Sequence, residues 1–345
     1  MSDQSRRSFI KGSGAAIAGA VGLGMSGSAA AAVGDTKNGW TVVESPTQKT
    51  LKDVTHTFDG PVAVGGGGDV VQRQNSDDFG SVLSGDIVES EWERVLDAGP
   101  SASKNTLNSV DTTDDGVLAW FAGSSGAIGS YNVITGEVTD YTAPKGKTST
   151  WESISVTGMA NESEQIYAFN GSGEELTGTR QDDGSIQWDE TQKPGGGSTI
   201  PASSFWSDDE GMICDTSQGA YQTTDGGKSW TKIGVPNSGV AFNGISAVGT
   251  DDANIAAGSG KIYRYDGNRW TPLVVGEKSV RDIDRDGERG LGSGGSGEVF
   301  KRETLGGWTS VETPTTSTLL GVSLDPTEVS PDVAVGSGST IIERR

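Results

Sequence analysis

From Trp40 to Arg345, polar and apolar positions follow one grammar that keeps returning. A stretch with apolar residues at alternate positions ends in a turn, most often acidic, such as Asp59-Gly60 or Asp115-Gly116. A short run of small and apolar residues follows, then a Gly- or Ser-rich turn, then a second alternating stretch. The unit ends on a stretch that carries a tryptophan. Its middle part is read at Val62–Arg73, Leu118–Ile128, Gln165–Gly173, Met212–Tyr221, Ile255–Tyr263, Gly290–Phe300 and Val333–Ile341, which makes seven units. The last stretch holds Trp92, Trp188, Trp230, Trp270 and Trp308, with Tyr141 in that place in the second unit. Alternation with period two predicts strands, and the Gly, Ser and Asp clusters between them predict turns.

Trp230, Trp270 and Trp308 stand 40 and 38 residues apart. Four short strands in about 40–45 residues is the signature of a propeller blade. The expected fold is all-β, a seven-bladed β-propeller over residues 33–345. Small residues suit the crowded second strand, and each Trp suits the space between neighbouring sheets, which a single blade cannot fill alone. The seventh unit stops at Arg345 without a tryptophan strand. Trp40-Thr41 through Pro46 matches Trp230-Thr231 through Pro236 and Trp308-Thr309 through Pro314. The N-terminal strand is therefore expected to complete the last blade, closing the ring with no free edge. The alternative is six blades, with the weaker third unit as an insertion.

Composition narrows the chemistry. The chain has 345 residues, with 53 Gly, one Cys (Cys214) and one His (His56). A single Cys excludes an intrachain disulfide and any multi-Cys zinc or iron–sulfur site. A single His excludes a two-His metal site and leaves His56 to serve any Ser–His–Asp centre alone. His56 alternates with Val54 and Phe58 and reads as structural; Cys214, in a crowded second strand, reads as a small buried thiol. The formal charge of −21 argues against nucleic acid and anionic membrane surfaces, which need basic patches. The acidic residues are spread along the chain rather than blocked. That reads as adaptation to high salt, as in a halophile, ahead of a cation-binding surface.

Residues 1–32 differ from the rest. Ser5-Arg6-Arg7-Ser8-Phe9-Ile10-Lys11 precedes a Gly/Ala-rich stretch from Gly14 to Met25 and small residues to Ala32. That order is the charged, apolar and cleavage regions of a secretory signal, and its roughly 12 apolar residues fall short of a bilayer span. The run resembles the twin-arginine signal consensus. The resemblance implies a fold completed before export and an extracellular or cell-surface address, with no transmembrane segment in the mature chain. Loss of Arg6, Arg7, Lys11 and Asp3 takes the formal charge from −21 to −23.

Thr223-Thr224-Asp225-Gly226-Gly227-Lys228-Ser229-Trp230 fits Ser/Thr-x-Asp-x-Gly-x-x-Trp and resembles the Asp-box of BNR repeats. The stretch from Ala220 to Thr231 is similar to YVTN-like propellers of the photosystem II stability/assembly factor type. Degenerate copies stand at Asp266-Gly267…Trp270 and Gly306-Gly307-Trp308. The resemblance implies a structural role for Thr223, Asp225, Gly227 and Trp230, with Asp225 capping hairpin amides. Sialidases that carry such boxes clamp a carboxylate with three Arg beside a Tyr/Glu pair and an Asp acid. Here no Arg lies between Asn105 and Arg180, and no Arg-Ile-Pro motif occurs. No catalytic residue is assigned.

Asp282-Ile283-Asp284-Arg285-Asp286-Gly287 spells the start of a Ca²⁺ loop, but Ser293 stands where the bidentate Glu is needed. The same positions elsewhere read Asp111–Gly116 and Ser207–Gly211, so the run is expected as an acidic turn between two blade strands. Asp282, Asp284 and Asp286 are the weak Ca²⁺ candidates in a chain otherwise expected to need no cofactor. Propeller ligands sit at one end of the ring axis. Asn105, Trp151, Phe205, Trp206, Asn243 and Arg281 are expected just ahead of first strands. Trp151, Phe205 and Trp206 could build an aromatic platform for a sugar or peptide, with Arg281 on the rim; the competing expectation is packing between blades. These features point to a secreted, monomeric, non-enzymatic module that binds a protein or glycan of the cell exterior. The alternatives are a sialidase-like glycoside hydrolase and a structural cell-envelope protein.

Overall fold

The computed structural model describes residues 32–74, 92–235 and 238–345; residues 1–31, with the signal-like run, and Pro236 lie outside them. The described residues form seven antiparallel sheets joined by turns, with short 3-10 segments and no α-helix. Blades 1 to 6 span residues 51–97, 107–140, 151–188, 202–232, 242–274 and 280–311, four strands each. The third unit is a complete sheet, Trp151–Thr157, Gln165–Asn170, Glu175–Arg180 and Ile186–Trp188, so the six-bladed alternative falls. Blade 7 takes Leu319–Ser323, Asp332–Gly336 and Ile341–Arg344, and Trp40–Val43 pairs with the last of these in the register Trp40 to Arg344. A two-residue strand, Thr36–Lys37, lies outside Trp40–Val43.

The glycine repeat has a steric cause. Gly65, Gly123 and Gly336 end the second strands of blades 1, 2 and 7. A Cβ there would lie 2.2, 2.0 and 2.1 Å from the carbonyl oxygens of Thr50, Thr106 and Thr318. Those carbonyls accept the next amide, from Gly66, Ser124 and Ser337, at 2.8–2.9 Å. The following tight turn places Gly67, Ser125 and Gly338 in the left-handed region, with φ of 58–67°. Apolar residues from adjoining sheets pack face to face between blades, with Trp40, Trp120 and Trp151 fully buried.

The first strand of each blade lines the axis, and side chains tie it to its neighbour. Asp53 Oδ2 accepts the Val110 amide at 2.9 Å, and Ser109 Oγ the Ile154 amide at 3.2 Å. Asp111 Oδ2 holds Val156 at 2.8 Å, Ser204 Oγ holds Ala247 at 3.0 Å, and Asp282 and Asp284 hold Val322 and Leu324 at 3.0 and 2.9 Å. His56 Nδ1 meets Ser323 Oγ at 2.8 Å across blades 7 and 1. Each side chain bonds one position further along the next strand, so these inner strands run in the same direction. The bridges satisfy backbone amides that face a neighbouring sheet rather than a ladder partner.

Candidate functional site

The inner strands of all seven blades enclose a cavity of about 520 Å³. Its wall is polar because the strands present short side chains inward: Thr55, Asp111, Ser155, Ser204, Ser246, Asp284 and Ser323 recur at matching depth. One step up the axis the wall carries Asp53, Ser109, Ser153, Gly244, Asp282 and Gly321. At its mouth stand the second residues of the inner strands. Among these are Lys52, Asn108, Glu152, Asn243, Arg281 and Leu320. Asn108 and Asn243 donate to the Trp151 and Val280 carbonyls of the next blade at 3.0 and 2.7 Å.

The carboxyls of this wall are not equivalent. Burial, and then the neighbouring Asp282 carboxylate, push Asp53 up to about 8, against the amides of Val110 and Val54 that pull it down. Burial also raises Glu152, partly offset by Lys52. His56 is buried and held below its ordinary value by desolvation, and its Nε2 lies 3.0 Å from the Pro331 carbonyl. His56 is thus a wall residue with both nitrogens engaged. Cys214 is buried and its thiol is pushed up by desolvation, so it offers no thiolate.

The residues anticipated for the rim are scattered. Trp151 is fully buried between blades 2 and 3 and does not line the cavity. Phe205 and Trp206 were expected ahead of an inner strand, but the strand is Ala202–Phe205, so Phe205 ends it and Trp206 follows it. The reading fails because Ser203 and Ser204, which look like loop residues, bridge the neighbouring inner strands. Phe205 is buried and stacks on Tyr167 with centroids 3.7 Å apart. Trp206 is half-buried, lines the cavity, and donates from Nε1 to Glu210 Oε2 at 3.0 Å. Arg281 is exposed at the opposite end of the axis. The aromatic trio therefore does not share one rim.

The Asp282–Asp286 run is strand rather than turn: it belongs to the inner strand Val280–Asp286. Among the described residues no group of three or more His, Cys, Asp or Glu is placed to hold a metal ion. In the turn Thr223–Trp230, Thr223 Oγ1 accepts the Gly227 amide at 3.0 Å, and Asp225 Oδ1 accepts the Ser229 amide at 2.8 Å. Gly227 has φ +80° and Trp230 Nε1 donates to Glu175 Oε2 of blade 3 at 2.8 Å. Sequence reasoning missed the wall itself. Its signal was available, because Ser, Thr or Asp stands at the same inward step of every inner strand.

No protein-family profile matches the chain, and no curated protein does. Solved structures do. The WD40 propeller domain of Doa1 superposes with a TM-score of 0.68 at 12% identity over 90% of this chain and 97% of that one. YCF48 bound to a D1 peptide gives 0.65 at 14% identity, over 89% and 95%. A catalytically inactive virginiamycin B lyase from Staphylococcus aureus with quinupristin gives 0.68 at 14%, over 88% and 98%. The likeness is one of fold.

Proposed function

We propose that the chain is an exported, non-enzymatic binding module whose axial cavity receives an extended segment of a partner protein. The supporting observation is the cavity of about 520 Å³, walled by polar inner strands of every blade. Propellers of similar shape include a WD40 domain and one solved bound to a peptide. A sialidase-like reading needs three guanidiniums around one pocket. Among the described residues only Arg281 and Arg285 line this one, and Arg285 is turned to Asp252 in a bidentate pair at 2.6 and 2.9 Å. No helix among the described residues is long and apolar enough to cross a membrane. Export rests on the twin-arginine-like run and predicts recovery of the chain, shortened near Ala32, outside the cell.

The test is selection from a displayed random-peptide library at high salt, followed by titration of the selected peptides. Leu320→Trp, which adds bulk at the mouth without removing a hydrogen bond, is expected to weaken them at least about tenfold, roughly 1.4 kcal/mol. Equal binding to this variant, or selection of no peptide, overturns the reading. Release of sialic acid from a sialoside would restore the hydrolase alternative.

A further inference from the structure

The mouth of the cavity is electrically lopsided, and the imbalance names a ligand class; this step rests on the binding reading above. Arg285, the deeper arginine of the blade 6 inner strand, is fully buried and paired with Asp252. Arg281, four residues earlier on the same strand, forms neither an ion pair nor a hydrogen bond among the described residues, in a chain of formal charge −21. Lys52 holds the same position on the inner strand of blade 1 and likewise has no ion pair within 4.0 Å. Between them, on blade 7, the matching residue is the half-buried Leu320. The sector over blades 6, 7 and 1 thus reads cation, aliphatic, cation.

The next layer down explains why the cations are not neutralised from below. It holds Asp282, Gly321 and Asp53. Gly321 has no side chain, and a Cβ there would lie 2.7 Å from Asp53 Cα, so the two acids influence each other across it. Asp53 accepts the amides of Val54 and Val110 at 2.8 and 2.9 Å and has no cation within 4.0 Å. Held up at about 8 by burial and Asp282, it is uncharged at neutral pH. Around it stand Lys52 and the neutral His56 on its own strand, Asp111 on blade 2, and Arg281, Asp282 and Asp284 on blade 6. The facing stretch Leu320–Leu324 of blade 7 carries no titratable group. In this layer Asp282 then lies below Arg281 as the one charged acid, and Asp53 adds no charge below Lys52. Glu152, at the same level on blade 3, feels Lys52, but burial holds its carboxyl above the usual range.

We propose that Arg281 and Lys52 form a seat for the carboxylate of a ligand whose adjacent apolar group rests on Leu320. A guanidinium and an ammonium converging on one oxyanion give charge-assisted hydrogen bonds, and the aliphatic surface between them selects a carboxylate that carries an apolar substituent. A peptide C-terminus and a free small acid share this chemistry.

The test compares acetyl-Ala-Ala-Leu with its C-terminal amide, and with N-acetylleucine, by titration of the full chain. The acid is expected to bind at least about tenfold tighter than the amide. Arg281→Gln and Lys52→Gln should each bring the acid toward the amide and leave amide binding unchanged. Both side chains reach solvent, and an unchanged denaturation midpoint confirms that the variants fold. Affinity for the acid should fall as pH rises through about 8, and Asp53→Asn, which keeps the oxygen that accepts Val110, should remove that fall. A tripeptide tighter than N-acetylleucine supports a peptide terminus, and equal binding supports a small acid. Acid and amide binding alike, or an acid preference that survives in the Lys52→Gln/Arg281→Gln double variant, overturns the seat while leaving the cavity reading intact. Binding of neither peptide at about 10 mM, which means an affinity weaker than about −2.7 kcal/mol, overturns both.

Discussion

Two seams between blades rest on the same contact and differ in charge. Where blade 7 meets blade 1, Trp92 Nε1 of the outer strand donates to Glu343 Oε1 at 2.8 Å. Where blade 3 meets blade 4, Trp230 Nε1 donates to Glu175 Oε2 at the same 2.8 Å. Glu343 also receives Arg73 Nε at 2.8 Å, an ion pair with both side chains less than a tenth exposed. Glu175 is fully buried, and its second donor is the neutral Gln192 amide at 3.0 Å. Its Oε1 has no hydrogen-bond partner and lies against Gly227, where a Cβ would come within 2.2 Å. A buried carboxyl with a cation stays ionised, and one without keeps its proton. Burial pushes Glu175 up to about 8 and the nearby Asp225 adds to this, while Trp230 and Gln192 pull the other way. A shared tryptophan–carboxylate contact is thus an ionic tie or a neutral one, depending on a single neighbour.

The ionic seam is expected to break hardest. Glu343→Ala leaves Arg73 buried without a counter-charge and Trp92 without its acceptor, and should cost about 3–5 kcal/mol. Urea denaturation reads it directly. A loss below about 1 kcal/mol would show that Arg73 finds solvent instead and that this seam is not held by its ion pair.

The neutral seam predicts a pH dependence with the opposite sense to ordinary acid denaturation. The unfolded chain releases the Glu175 proton near 4.5, whereas the folded chain holds it to about 8. The folded state therefore binds the extra proton across that window. The stability tied to Glu175 is present below 4.5 and is lost as pH rises through about 8. Glu175→Gln, which needs no proton to stay neutral, should match the parent near pH 4.5 and exceed it by a few kcal/mol at the upper end of the window, with about 5 kcal/mol as the ceiling. A constant difference at all pH values would mean that Glu175 is ionised in the fold.

Neither seam was legible in the sequence, although the fold was. Period-two alternation, the Gly-rich turns and the recurring Trp identify blades because they are local and repeated seven times. The partner of Glu343 is 270 positions away at Arg73, and nothing near either residue marks the pairing. The same holds for the charged mouth of the cavity. Arg281 was singled out by its place before a strand, but Lys52, Asp53 and Gly321 acquire meaning only when blades 1, 6 and 7 stand side by side. Ser203 and Ser204 misled in the other direction. Their polarity reads as loop, yet in the ring they are inner-strand hydroxyls bonded to neighbouring blades.

The smallest expected effect lies on the other side of the neutral seam and sharpens its assignment. Asp225 is partly exposed, and its oxygens accept from Ser229 Oγ, the Ser229 amide and Thr223 Oγ1. The Ser229 hydroxyl, more than any other contact, holds its carboxyl below the usual range. Asp225→Ala should cost about 1 kcal/mol near neutral pH, the worth of a local hydrogen-bonded turn. Because the folded value is lowered, this contribution is present above the ordinary Asp value of 3.8 and fades as pH falls through the folded one. Asp225 and Glu175 thus titrate with opposite consequences across one seam. Since the Asp225 charge helps keep Glu175 protonated, Asp225→Ala should partly relieve the alkaline loss. A double-mutant cycle with Glu175→Gln at about pH 8 should then give a coupling of roughly 0.5 kcal/mol that vanishes near pH 4.5. Additivity at both pH values would separate the two carboxyls and assign the alkaline loss to burial of Glu175 alone.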